Sequence, residues 1–204
     1  MTVWMKTLSG LILLAALVFF VPSSAFAEGE VGDDGLHKQS WFLESFLDLR
    51  EDTVEAKAAG KRLAIMWEQK GCPYCAETHT KNLAIKEISD YIKANFHVVQ
   101  LNLWGDREVT DFDGEVTTEK KLARKWGVVF TPTIHFLVEA NELKDGKPGI
   151  QQTAAVMPGY FKPFHFIRMF EWVKTRRYET QHFQKYIAEM VKKYHDEGKD
   201  VKMW

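Results

Sequence analysis

Apolar positions along the chain alternate between short runs of strand length and stripes of helical spacing. Leu63-Ala64-Ile65-Met66-Trp67 is a continuous apolar run that predicts a buried strand. Phe96 to Leu103, built around Val98, Val99 and Leu101, predicts a second. Thr133 to Val138 and Gln151 to Val156 predict a third and a fourth, separated by the polar turn Ala140 to Pro148 and ended by Pro158-Gly159. Asp48 to Ala59 reads as a helix stopped by Gly60. Ala76 to Asn95 reads as a longer one, with Leu83, Ile85, Ile88, Tyr91 and Ile92 at helical spacing. Trp104 to Glu115 is polar and reads as a loop, after which Thr117 can cap a helix running to Trp126 and stopped by Gly127. Phe164, Ile167, Phe170 and Val173 mark one helix face. Phe183, Tyr186, Ile187, Met190, Val191 and Tyr194 form the apolar stripe of a terminal helix. Alternating strands and helices followed by a strand–turn–strand unit predict an α/β fold: a mixed four-stranded central sheet flanked by helices.

The two ends read differently from the middle. Lys6 is the only charge before Glu28, and Leu8 to Val21 is apolar apart from Ser9 and Gly10. Pro22, two serines and Ala25-Phe26-Ala27 follow. That order is the one found in a cleaved secretory signal peptide, and the run is shorter than the roughly 20 residues a membrane helix needs. The expected organisation is a signal peptide over 1–27, a folded domain over 28–177 and a C-terminal helical extension over 178–204. Residues 28–36, rich in Gly, Asp and Glu, read as a flexible leader; Trp41, Phe42, Phe46 and Leu47 then need a surface to cover. The location implied is outside the cytoplasm.

Composition narrows function mainly by exclusion. The formal net charge of the 204 residues is -1, with no basic excess that would point to nucleic acid. The only cysteines are Cys72 and Cys75. A bridge across two residues closes too small a loop to be much of a staple. The spacing suits chemistry better. Cys72 follows a predicted strand and opens a helix, where unpaired backbone N–H groups favour a thiolate. Cys75 lies one turn on, placed to resolve a mixed disulfide on Cys72. Pro73 suits the first helical turn because its missing N–H is not needed there. Two other readings stay open: an inert disulfide, and a copper or zinc carrier using Cys72, Cys75 and His79, for which a fourth ligand is not evident. Haem attachment needs a histidine after the second cysteine, where Ala76 stands. Thr131-Pro132-Thr133 places a proline at a strand entrance, where its isomer is not readable from sequence and trans is the ordinary form.

Together, Cys72-Pro73-Tyr74-Cys75 after a strand, Trp126-Gly127-Val128-Val129-Phe130-Thr131-Pro132-Thr133 and Pro158-Gly159-Tyr160 resemble the thioredoxin superfamily. Glu68-Gln69-Lys70-Gly71 before the cysteines, the long loop after the second strand and the aromatic tail are more closely similar to the periplasmic thioredoxins associated with sulfur oxidation. The resemblance implies a thioredoxin-like fold and a thiol–disulfide oxidoreductase with Cys72 and Cys75 as its catalytic pair, with neither cofactor nor metal. It implies that Pro132 is cis beside the disulfide, that Thr131 offers backbone groups to a bound partner, and that Pro73 and Tyr74 complete the partner-binding surface. The partners implied are protein thiols or disulfides of the periplasm, with a sulfur-oxidation carrier as one candidate and a membrane electron relay for re-reduction.

Departures from the thioredoxin pattern are equally informative. Pro73-Tyr74 replaces Gly-Pro, as in glutaredoxins, so a glutathione-dependent enzyme is an alternative reading. Met66 stands where thioredoxin has a buried aspartate, and Gln100 where it has a lysine. Glu68 is the candidate replacement proton acceptor, against the plainer reading of a solvated strand-end glutamate. Tyr160, Phe161, Phe164 and Phe166 read as core rather than site.

Overall fold

The computed structural model describes Met1 and residues 30–199, so apart from Met1 the expected signal peptide lies outside the described residues. The helices are α1 (Leu49–Ala58), α2 (Pro73–Glu77), α3 (Lys86–Asn95), α4 (Glu119–Lys125), α5 (Pro163–Lys174) and α6 (Phe183–Asp196). The strands are β1 (Arg62–Glu68), β2 (Phe96–Asn102), β3 (Glu108–Thr110), β4 (Val116–Thr118), β5 (Thr133–Leu137) and β6 (Thr153–Pro158). The central sheet has the order β2-β1-β5-β6. β1 and β2 are parallel across the α2–α3 crossover, while β1–β5 and β5–β6 are antiparallel. This is the mixed four-stranded sheet expected from the sequence.

Strand side chains alternate between faces, and the sheet buries both. Ala64, Met66, Phe96, Val98, Ile134, Phe136 and Met157 face one core, closed by Ile88 and Ile92 of α3 and Phe166, Phe170 and Val173 of α5. Leu63, Ile65, Trp67, Val99, Leu101 and Leu137 face the other, closed by Leu49 and Ala56 of α1 and by Leu122 and Ala123 of α4. Every residue of β1 is buried, as expected of a central strand. Asp48 caps α1 by accepting from the N–H groups of Arg50 and Glu51, and Gly60 follows at a positive φ of 69°.

Several expectations need correction. The helix expected over 76–95 begins earlier, at Pro73, and is broken. α2 runs into a π-helical turn, Thr78–Asn82, and α3 restarts at Lys86. The break is tied down by buried Asn82, whose Nδ2 donates to Phe161 O (2.8 Å) and whose Oδ1 accepts from Tyr160 OH (3.2 Å). The loop expected over 104–115 contributes β3, which pairs with β4 in a two-stranded hairpin. Lys125 Nζ holds that hairpin through Asp111, Asp113 and Glu115 at 2.7–2.8 Å. Thr117 pairs within β4, so Thr118 rather than Thr117 precedes α4. β6 starts two residues later than expected because Gly149–Gln152 forms a 3-10 turn. A Cβ on Gly149 would lie 1.8 Å from the Trp126 ring, so only glycine fits there.

The leader expected to be flexible over 28–36 is folded from residue 30 onward. Val31 bridges to His37, Leu36 is 1% exposed, and Leu43 N donates to Val98 O (2.8 Å). Apolar Leu36, Trp41 and Phe42 outweigh the Gly and Asp content, and the segment becomes a strap along the outer edge of β2.

Two buried titratable groups give the fold opposite pH limits. Asp52 is buried beside Ser45, whose hydroxyl donates to both carboxylate oxygens, and desolvation pushes its pKa up from 3.8 to about 6. The folded state therefore binds this proton more tightly than the unfolded chain. The stability linked to it is present below pH 3.8 and is lost as pH rises through about 6. Asp52→Asn is expected to stabilise the protein by about 2 kcal/mol at pH 8 and not at pH 4. Urea melts at the two pH values check this, and an equal change at both would refute it. His135 is 3% exposed against the Trp126 ring, and burial pushes its pKa down from 6.5 to about 4. Stability carried by its neutral ring is whole above pH 6.5 and falls as pH drops toward 4.

Candidate redox site

The site forms where the end of β1 meets the start of β5. Trp67 pairs with Thr133, which brings Thr131-Pro132 beside the residues that follow Glu68. Gly71, at φ 72°, turns the chain out of β1. Cys72 then caps α2 in an extended conformation, with Pro73 in the first helical turn. Cys72 and Cys75 are joined in a disulfide with their Cα atoms 5.2 Å apart. Cys75 N donates to Cys72 Sγ at 3.1 Å. The same N–H would stabilise a thiolate on Cys72 once the bond is reduced.

Pro132 is cis, as the resemblance implies. Its O accepts from Gly159 N (2.8 Å), which anchors the Pro158-Gly159 turn to the site. Thr131 Oγ1 donates to Cys72 Sγ (3.3 Å), and Thr131 O lies 3.5 Å from the same sulfur. Cys72 is 6% exposed and Cys75 1%, so a partner can approach only the first. The surroundings of Cys72 are apolar and open. Pro73, Tyr74, Val129, Phe130 and Trp104 are exposed, and Trp104 Nε1 donates to Gln69 Oε1 (2.8 Å). Tyr74 stacks on Tyr160, with ring centroids 6.0 Å apart. Tyr160 therefore belongs to this rim rather than to the core, while Phe164 and Phe166 are core as expected.

Behind the disulfide lies a buried polar network. Glu68 is fully buried, so the solvated strand-end reading is excluded. Its position follows from strand alternation: it shares the face of Ala64 and Met66, beneath the helical run that begins at Cys72. Its Oε1 accepts from His79 Nε2 at 2.9 Å, and its Oε2 accepts from the Gln100 amide. The Gln100 amide also donates to His37 O (2.7 Å), and Lys38 Nζ donates to Gln100 Oε1 (3.1 Å). His79 Nδ1 accepts from Gln39 Nε2 at 3.1 Å. Trp41 Nε1 donates to Gln39 Oε1 (3.1 Å), which fixes the orientation of that amide. His79 is therefore the neutral Nε2–H tautomer.

This assignment bears on the metal-carrier reading. Both ring nitrogens of His79 are engaged within the protein, so it does not offer a third ligand beside the cysteines. Among the described residues, no three His, Cys, Asp or Glu side chains converge as a metal site. Sequence reasoning treated His79 only as that possible ligand and missed Gln39 entirely. The available signal was spacing: His79 is four residues past Cys75 and shares its helix face.

The family description "Thioredoxin-like domain" matches residues 49–174, more than half of the chain. The chain belongs to the thioredoxin-like family. A search of curated proteins returned no match. Among solved structures, a thioredoxin-fold protein from Helicobacter pylori is 21% identical, with a TM-score of 0.50 over 66% of this chain and 82% of that one. A thioredoxin from Thermus thermophilus is 23% identical, with a TM-score of 0.46 over 62% and 84% of the two chains. The Helicobacter likeness is one of fold. A thioredoxin-like fold with a disulfide-forming Cys72–Cys75 pair supports thiol–disulfide oxidoreductase chemistry in general.

The buried pair also carries a stability prediction. His79→Leu leaves Glu68 buried without its Nε2–H donor. The expected loss is about 1.5–3 kcal/mol, read as a shift in the urea midpoint of the oxidised protein. A loss no larger than that of an exposed-site control would show that Glu68 does not depend on His79.

Proposed function

We propose that this thioredoxin-like protein is exported and reduces disulfides of partner proteins in the periplasm, a sulfur-oxidation carrier being one candidate. The observation that carries this reading is the asymmetry of the pair. Cys72 lies at an apolar rim beside Thr131 and cis-Pro132, whereas Cys75 is enclosed behind it.

The chemistry follows from that arrangement. The Cys72 thiolate attacks one sulfur of the partner's disulfide, and the other sulfur leaves as a thiolate. Cys75 then loses its proton and attacks Cys72 Sγ. The bond between Cys72 and the partner breaks, and the partner's second sulfur leaves as a thiolate. Two electrons have passed to the partner, whose thiolates take up two protons, and the Cys72–Cys75 disulfide remains. Turnover then requires an electron donor outside the cytoplasm, for which a membrane relay is the proposed source. Pro73, Tyr74, Thr131 and Pro132 form the surface on which the partner chain lies. The signal-peptide pattern of residues 1–27 supports export, with cleavage after Ala27.

Cys75→Ser removes the resolving sulfur while leaving Cys72 in place. Expressed in the exporting cell, it is expected to accumulate disulfide-linked partners on Cys72, released by dithiothreitol and identified by mass spectrometry. The mature chain should begin at Glu28. The expected reduction potential lies at or below about -200 mV, in the range of reducing family members. Absence of any trapped partner, or a potential near that of a strong oxidant at about -120 mV, would overturn the reductase reading. Turnover that requires glutathione would assign the protein to the glutaredoxin-like alternative.

A further inference from the structure

The buried half of the site is assembled from four separate parts of the chain. Glu68 comes from β1, Gln100 from β2, His79 from the π turn and Gln39 from the strap. All four are buried, with exposures from 0% to 9%. A carboxylate enclosed in this way tends to take up a proton unless hydrogen-bond donors hold its charge. The donors on Glu68 are His79 Nε2–H and the Gln100 amide. His79 can donate only as the Nε2–H tautomer, and Gln39 enforces that tautomer by donating to Nδ1.

The groups around His79 agree with this. His37 of the strap lies with its ring 5.5 Å away, and Phe42 lies at 5.7 Å. Lys38 reaches the network through Gln100 Oε1. Cys75 precedes His79 by one turn on the same helical run, so the face that meets Glu68 is also the face that carries the buried sulfur.

We propose that His79 is a positioning residue of the redox reaction: held as the Nε2–H tautomer by Gln39 of the N-terminal strap, it fixes the Glu68 carboxylate as the group that receives the proton of Cys75. The proposal rests on the oxidoreductase reading and adds one step to it. In the resolving reaction the Cys75 S–H proton passes to Glu68. The sulfur lone pair forms the bond to Cys72 Sγ, and the electrons of the broken Cys72–partner bond leave on the partner's sulfur. Glu68 then returns the proton to that thiolate or to solvent. Without the His79 donor the carboxylate loses the hydrogen bond that fixes it in that place.

Ellman's reagent separates the two steps on the reduced protein. Attack by Cys72 releases one thionitrobenzoate, and resolution by Cys75 releases a second. In His79→Leu the second release is expected to slow at least tenfold at pH 7, with its pH midpoint raised by about one unit. His79→Gln keeps an N–H donor and should stay within about threefold of the native protein. Gln39→Leu leaves Glu68 and His79 in place and, besides the Trp41 hydrogen bond, removes the donor that sets the tautomer, so its second release should fall between the two, again shifted to higher pH. The first release should be alike in all four proteins. Native behaviour of both His79→Leu and Gln39→Leu would overturn the proposal, as would a first release slowed in the same proportion as the second. If His79→Leu does not fold, Gln39→Leu decides. If the native protein itself releases no thionitrobenzoate, the oxidoreductase reading fails instead.

Discussion

The register of β1 against its two neighbours decides where every group of the redox site lies. Trp67 opposite Thr133 sets the cis-Pro132 turn beside Cys72. Met66 opposite Gln100 brings the Gln100 amide within reach of Glu68, two residues further along the same face. Because side chains alternate, a slip of one residue would turn Glu68 out of the network and Trp67 into it. The register is in turn held by the cores on both sides. Ala64 and Met66 are fixed by α3 and α5, and Leu63, Ile65 and Trp67 by α1 and α4. The chemistry at the end of β1 therefore depends on apolar packing along its whole length.

Much of this was legible in the chain. Four strands, α5 and α6 follow from apolar runs and stripes bounded by turn residues, and α1 from its helix formers and the Gly60 stop. The cysteine pair was legible through its context, a strand before and a helix after. Other features were not, for identifiable reasons. The π turn at Thr78–Asn82 is fixed by contacts of Asn82 with residues 160 and 161, almost eighty positions away. β3 and β4 are three residues each and owe their order to Lys125, an interaction with no periodic signature. The strap has the composition of a leader, and its order comes from a few apolar side chains finding the edge of the sheet. Glu68 showed its strand and face in the sequence, but its burial depends on what covers the strand end.

That cover explains how a charge and several amides can sit in the interior. Removing polar groups from water is costly unless each finds a partner, and here the partners form one connected chain. It runs from Lys38 through Gln100, Glu68, His79 and Gln39 to Trp41. Both ends of that chain lie in the strap. The strap thus does more than cover the exposed edge of β2: it closes a network whose middle lies beneath the helical run carrying the cysteines.

The substitution of Met66 for the buried aspartate of thioredoxin fits with this arrangement. Met66 is 1% exposed and packs among apolar side chains in the core beneath α3 and α5. The carboxylate stands instead at Glu68, two positions along the same face and so about 7 Å nearer the strand end. At that place the sheet alone does not enclose it, and an uncovered Glu68 would be a solvated strand-end glutamate. The helical run carrying His79 covers it, and Gln100, in place of a lysine, supplies a neutral donor rather than a competing cation. Glu68, Gln100 and the strap are therefore parts of one connected network. An aspartate at 66 alongside Glu68 would set two carboxylates on the same buried face, where like charges disfavour each other's ionised form.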